Sequence, residues 1–501
     1  MPHRPSPGSS GNPFLKFLRT ILPLLTLAAL IACGSSGPSS KAIIGGGGTG
    51  GGGGARGASS LLFASDFNSL PTSLPSPFWC PTDSAGNIAS ITTLRIWDSQ
   101  MKWSDIETSA GTFDWTRLDN AVNNLITDPS CTMGMIYTVG SIPEWATTCN
   151  GQPDPGPCLP GPTTSGFGGG TECANATDWS CLPPTDVNSD GTGADAQFQT
   201  YISTLATRYG SRINYYEVWN EADSPNFWCP SGGGSPAACG TGNASVAIMV
   251  RMAWDLYNIV HCASSTVKVL SPSFHGDTAA SWMHTYATTQ ISAPAGSIGG
   301  CSWPAATVTG KQTFDITNFH GRGSPNSDPT EFLPAYQAVA QEMQADGLPT
   351  DLFDDENGYI GIAQAANPNI QAAYVAISYI LRASVGPPSI ELSSWYAWDA
   401  PQGTGLQGTI VGTAYDVVAG WLSGSSLSNC AILGSLYSCS GTTKGGTPFD
   451  IVWDMSQNCN SGCTTVNQAV STFSTWTDLT GAQHQVSGGT APVGYQPIIL
   501  E

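Results

Sequence analysis

Charged residues are only 10% of the 501-residue chain, yet the stretch YYEVWNEADSPNFW at 215–228 holds two carboxylates four positions apart. Glu217 sits inside the apolar run, and Glu221 follows Trp219 and Asn220 where that run gives out. A second acidic knot, DLFDDENGY at 351–359, carries Asp354, Asp355 and Glu356 in the same strand-then-loop setting. Two carboxyl groups brought together from distant positions can split acid–base labour, one protonated to assist a leaving group, the other ionised to attack carbon or activate water. That division suits cleavage of a glycosidic bond. The neighbours fit the same chemistry: Trp145, Trp395 and Trp398 offer rings for sugar faces, and Asn220, Arg95 and His320 offer partners for hydroxyls and carboxylates. Glu221 and Glu356 are 135 residues apart, so only a closed fold can join them.

The elements that could do so recur along the chain. Strand-like runs stand at 61–68, 92–98, 133–140, 213–220, 267–273, 314–321, 352–358 and 393–399, with helical periodicity at 115–126, 195–210, 245–263, 333–346, 370–384 and 414–424. Alternating strands and helices imply parallel pairing, and eight repeats predict an α/β fold, a (β/α)8 TIM barrel over 61–424. In that architecture chemistry sits where strands end and loops begin. Glu221 and Glu356 are then the strand-end acids, and Glu217, in mid-strand, is scaffold inside the barrel. Asp354 and Asp355 add to the local negative field. After residue 425 the helical signals stop, and short strand-like runs predict a small C-terminal β-sandwich-like accessory domain over 425–501. The Cys-, Gly- and Pro-rich stretch 147–194 is too long for a plain connection and is expected to shape a cleft.

The N-terminus reads as processing rather than fold. His3, Arg4, Lys16 and Arg19 precede ILPLLTLAALIA, which is too short to span a bilayer comfortably. The tetrad Leu30-Ile31-Ala32-Cys33 resembles the lipobox of bacterial lipoproteins, which implies a signal peptide over 1–33 and lipidation of Cys33; an ordinary secretory signal cleaved nearby is the alternative. Residues 34–60 are a Gly/Ser-rich flexible linker. The net charge of −20 disfavours nucleic acid and anionic lipid, so membrane contact is expected only through the N-terminal lipid. Of 15 cysteines, 14 remain after Cys33, an even number suited to up to seven disulfides in an exported protein. Short separations suggest Cys229 with Cys239, Cys430 with Cys439, and Cys459 with Cys463. No zinc-ligand spacing accompanies them, and no cofactor is expected.

Several motifs, in order, carry a resemblance. LRIWDSQMKWSDIETSAGTFDWTRLD (94–119), SIPEWAT (141–147), YYEVWNEADSPNFW and DLFDDENGY are similar to the second, third, fourth and seventh strand regions of retaining clan A glycoside hydrolases, most of all family 39. GWLSGSSL (420–427), FDIVWD and PIILE resemble the β-domain that accompanies such barrels, so the resemblance covers roughly 61–501. It implies Glu221 as acid/base, Glu356 as nucleophile and Asn220 on the sugar 2-hydroxyl. It further implies His320 beside the nucleophile, Arg95 orienting carboxylates, and stacking walls from Trp145, Trp395 and Trp398. It admits β-xylosides, other β-glycosides, α-linked arabinosyl or uronyl sugars and exopolysaccharides. The sixth-strand segment NFHGRG departs from the His-then-Tyr pattern of many relatives, and Asn357 after the nucleophile position changes its neighbours. The expectation is a monomeric cell-envelope enzyme acting on oligo- or polysaccharide. The competing reading is a non-catalytic surface glycan-binding lipoprotein on the same barrel.

Overall fold

Eight short strands rich in β-branched and aromatic residues pair in parallel. They are β1 (Phe63–Asp66), β2 (Thr93–Ile96), β3 (Gly134–Val139), β4 (Tyr215–Val218), β5 (Lys268–Leu270), β6 (Thr317–Phe319), β7 (Leu352–Asn357) and β8 (Ile390–Trp395). The order is β6-β7-β8-β1-β2-β3-β4-β5. Leu270 and Ile316 form a parallel bridge between the two ends, with Ser271 N–H donating to Ile316 O at 2.9 Å, so the sheet closes into a (β/α)8 barrel. The computed structural model describes residues 56–67, 90–123, 133–147, 181–224, 227–228, 243–321, 328–358, 367–399, 405–428, 430–460 and 462–501. Cys33, Arg322, the Cys229–Cys239 pairing and most of the 147–194 stretch lie outside them.

The outer ring comprises α1 (Thr116–Ala121), α2 (Ala196–Tyr209), α3 (Asn243–Ala263), α4 (Ala279–Thr288), α5 (Phe332–Asp346), α6 (Pro368–Ser384) and α7 (Ile410–Leu422). Local chemistry sets their ends. Asn367 caps α6, its side chain accepting from Asn369 and Ile370 N–H with Pro368 at the first helical position, a cap whose loss costs about 1 kcal/mol. Gly347, at φ +65°, ends α5 in the left-handed conformation.

Side-chain alternation along the strands builds the barrel interior in layers. The lower layer is apolar: Ala64, Ile136, Leu270, Ile316, Phe353 and Leu392 pack together. Two residues further along the strands the character inverts. Asp66, Thr138, Asn318, Asp355 and Ser394 occupy the next layer with Arg95 and Glu217, all buried. That polar girdle lies directly beneath the strand ends.

The C-terminal strands form an antiparallel sheet in which Pro448–Asp454 pairs with Leu436–Thr442 on one side and Ile498–Leu500 on the other. Period-2 alternation splits its faces. Phe449, Ile451 and Trp453 join the main core with the barrel helices, whereas Val452, Ile498 and Leu500 pack with Val470, Ala491 and Val493 in a separate small core. The result is sandwich-like. Arg56–Gly57, inside the stretch expected to be linker, pairs antiparallel with Ser426–Leu427, and Ala58 N–H donates to Ser425 O at 2.7 Å. The first described residues therefore extend the C-terminal sheet. The Cys430–Cys439 and Cys459–Cys463 disulfides are present, and Cys262 pairs with Cys301 across 39 residues, a bridge that sequence spacing does not suggest. Among the described residues no helix is long and apolar enough to cross a membrane.

Candidate active site

Arg95 rises from β2 into the barrel axis, fully buried, and its guanidinium organises the girdle. Nε donates to Asp355 Oδ2 at 2.9 Å, Nη1 to Glu356 Oε2 at 2.9 Å and Asp66 Oδ1 at 3.3 Å, and Nη2 to Glu217 Oε2 at 2.9 Å and Asn220 Oδ1 at 2.7 Å. One planar fork of donors thus fixes residues from β1, β4 and β7, which an ammonium could not do.

Glu217 lies wholly inside the barrel. It accepts from Arg95, from Thr138 Oγ1 at 2.5 Å and from Asn318 Nδ2 at 3.2 Å. Glu221 is placed differently. β4 ends at Val218, and the chain then adopts left-handed φ values at two non-glycine residues, Trp219 (+68°) and Glu221 (+42°). Such conformations cost roughly 1–3 kcal/mol each and persist only where surroundings enforce them. Here Trp219 N–H donates to Val139 O at 2.7 Å and its indole to Phe227 O at 2.9 Å, while Glu221 N–H donates to Ser273 Oγ at 3.2 Å. The turn swings Glu221 to the mouth, where it is 4% exposed.

His320, just past β6, is buried between the carboxylates. Nδ1 lies 2.9 Å from Glu221 Oε1 and Nε2 lies 3.3 Å from Asp355 Oδ1. Burial opposes its charge, but Glu356, with the bonds to Asp355 and Glu221, outweighs that cost and pushes the imidazole up to about 10, so both nitrogens carry protons. Burial likewise works against Asp355, and Arg95 and His320 overcome it, holding that carboxyl at about 2. Glu217 goes the other way: burial pushes it up to about 7, with Arg95 only partly offsetting. Burial also raises Asp66 well above the usual range. Five carboxyls facing two cations thus divide, Asp66 and Glu217 raised by burial and Asp355 held low by Arg95 and His320.

One carboxylate oxygen of Glu221, one of Glu356 and a ring nitrogen of His320 lie within 4.8 Å of one another, as do matching atoms of Glu217, His320 and Asp355. The Arg95 guanidinium already sits among these carboxylates, paired with Glu217, Asp355 and Glu356, and supplies the positive charge there.

Three aromatic assignments divide. Trp145 is partly exposed, its indole donating to Glu107 O at 2.9 Å. Trp395 and Trp398 cannot serve as stacking walls as expected, since both are 0% exposed. Parity accounts for Trp395, and packing beyond the strand end for Trp398. Leu392 and Ser394 point inward on β8, so Trp395 points outward onto Tyr374, while Trp398 packs on Tyr415 of α7. The aromatic side chain of that segment with access to the mouth is Tyr396, partly exposed, whose hydroxyl donates to Asp98 Oδ2 at 2.6 Å. Alternation along SSWYAWD was the signal that could have found it. Asp354 also points outward, paired with the buried Arg382, which donates to Gly321 O at 2.8 Å. His275 stands apart from the Arg95 network, its N–H 3.3 Å from Asp223.

No family model matches the chain, and no curated protein matches it. Solved structures do. A family 30 glycoside hydrolase, an endoxylanase from Clostridium papyrosolvens C71, is 12% identical with a TM-score of 0.51, over 89% of this chain and 97% of that one. A family 39 glycoside hydrolase from the gut symbiont Bacteroides cellulosilyticus WH2 is 14% identical, TM-score 0.47, over 83% and 76%. A family 44 endoglucanase from Clostridium acetobutylium ATCC 824 is 11% identical, TM-score 0.49, over 89% and 97%. At such identities the similarity is one of fold.

Proposed function

We propose that this chain is a retaining glycoside hydrolase acting on oligo- or polysaccharide, with Glu221 as acid/base and Glu356 as nucleophile. The observation that carries the reading is the approach of Glu221 and Glu356 to within 4.8 Å at the barrel mouth. A nearest-oxygen approach of this order favours a retaining pair, whose carboxyls stand about 5–5.5 Å apart, over an inverting pair at about 6.5–9.5 Å. In the first step Glu356 attacks the anomeric carbon as Glu221 gives its proton to the departing oxygen, leaving a glycosyl ester on Glu356. In the second, Glu221 takes a proton from water, whose oxygen displaces the ester. Esterification neutralises Glu356, which eases ionisation of Glu221 for its second role. Arg95 holds Asn220 Oδ1 and so turns the amide nitrogen outward as a donor suited to a 2-hydroxyl.

The order of motifs supports placement near family 39 within this class. Disulfides among the described residues support an oxidising, extracytoplasmic setting, and the lipobox-like tetrad supports anchoring through Cys33. The test is a glycan hydrolysis screen, followed by NMR of the first-formed product. Retention of anomeric configuration by wild type with loss of turnover in Glu356→Ala is expected. Inverted product, or equal turnover by Glu356→Ala, would sink the assignment.

A further inference from the structure

The β8 segment turns one aromatic side chain, Tyr396, into the mouth from the wall opposite Asn220. Tyr396 follows Ser394 by two positions, and Ser394 already points inward, bonded to Asp66 Oδ2 at 2.9 Å. Its backbone N–H donates to the carbonyl of Asn357, next in chain to Glu356, at 2.8 Å. Its hydroxyl reaches Asp98 Oδ2 at 2.6 Å. Because β1 lies between β8 and β2, the phenol passes over the end of β1 to make that bond. Asp98 is 25% exposed in its side chain, with Lys102 Nζ 3.6 Å from its other oxygen. The same ammonium sits 4.2 Å over the ring of Trp97. Burial, followed by the charge of Asp98, pushes the Tyr396 phenol well above its usual range, so it remains a donor across physiological pH.

We infer that Asp98 and Tyr396 form a hydroxyl-binding pair for the sugar unit that reacts with Glu356, fixing the edge of the ring remote from Asn220. A partly exposed carboxylate with one lone pair committed to a phenol and the other side steadied by an ammonium keeps acceptor capacity for a sugar diol. A neutral sugar with free hydroxyls at that edge is favoured. A uronate there would meet Asp98 and Glu356 with a like charge. The inference rests on the double-displacement reading, so the test separates the two.

Wild type, Asp98→Asn, Tyr396→Phe and Glu356→Ala full-length chains would be incubated with 2,4-dinitrophenyl 2-deoxy-2-fluoro-β-D-xyloside and the corresponding glucoside. Intact mass and peptide mapping locate the adduct, and inactivation kinetics give KI and kinact separately. Wild type gains one glycosyl adduct on Glu356, and Glu356→Ala gains none. Asp98→Asn, at a partly exposed site where the fold is retained, raises KI by about tenfold or more, the scale of one hydrogen bond to a charged group. Its kinact stays within about threefold of wild type, since binding and not chemistry is lost. Tyr396→Phe shifts KI in the same direction. Wild-type KI in both variants, or a fall in kinact alone, overturns the hydroxyl-binding pair while leaving the nucleophile in place. A wild type that takes no label from either probe overturns this pocket as one for a β-xylosyl or β-glucosyl unit, and the anomer of the hydrolysis product then decides the mechanism.

Discussion

His320 and Glu221 meet over the end of β5, imidazole Nδ1 2.9 Å from carboxylate Oε1. The imidazole has no freedom to do otherwise, since its far nitrogen faces Asp355 and its backbone N–H donates to Phe274 O at 2.9 Å. Removing it should free the Glu221 side chain without emptying the sugar site. His320→Ala is expected to lower kcat by roughly 10²-fold, the low end of general acid–base contributions, with a much smaller change in KM. Steady-state kinetics on an aryl glycoside measure both, and an unchanged kcat would show that Glu221 is positioned by other groups.

Stability should be greatest in mildly acidic solution. His320 rises to about 10 when folded, so its contribution is complete below about 6.5 and is lost as pH climbs towards about 10. Glu217, raised to about 7, adds a loss between its ordinary value and neutrality. Asp355, held at about 2, contributes above its ordinary value and fails only in stronger acid. Melting temperature measured from pH 3 to pH 10 should therefore peak between about pH 4 and 6.5. A flatter alkaline limb in His320→Ala would tie that limb to this residue.

Arg95→Met would leave Asp66, Glu217, Asp355 and Glu356 facing one another without their common partner. Breaking a buried ion pair on one side costs about 3–5 kcal/mol. Urea denaturation should show a loss on that scale. Adding Glu217→Gln to the same chain should recover part of it, and full stability in the single variant would contradict the girdle as described.

Gly140 closes β3 against the face of Trp97. A Cβ there would stand 2.7 Å from Trp97 Cζ3 and 2.9 Å from Cη2, closer than real contacts allow, with Trp219 Cε3 at 3.5 Å beside it. Gly140→Ala should destabilise by about 1–3 kcal/mol through overpacking and displace Trp97 at the mouth. A chemical melt coinciding with wild type would mean that the ring moves freely.

The barrel could be read from repeated strand and helix periodicity because parallel strands buried on both faces leave compact apolar runs between helices. Glu221 stood out because Val218 ends the strand three residues earlier, and Glu217 declared itself by falling within it. The short-range disulfides were readable from separations of 9 and 4 residues, whereas Cys262–Cys301 depends on how a hairpin folds back on α3. The Trp395 role failed on parity, and the Trp398 role because that ring, past the strand end, packs on Tyr415. A tryptophan at a strand end suggests a sugar platform, but one residue of register sends it to the opposite side of the sheet. The links from Arg95 to Asp66, Glu217, Asp355 and Glu356 span four strands, and nothing local in the sequence records them.

The polar layer in mid-barrel also sets how this chain would respond to selection for heat resistance alone. Its residues fill positions that apolar side chains of similar volume would occupy with equal or better stability, as buried ionic clusters elsewhere show. Variants enriched solely for survival at high temperature should accumulate replacements at Asp66, Glu217 and Arg95 together, trading away the floor on which Glu356 rests. A population kept on its substrate would hold those three positions fixed while its helices and loops drift.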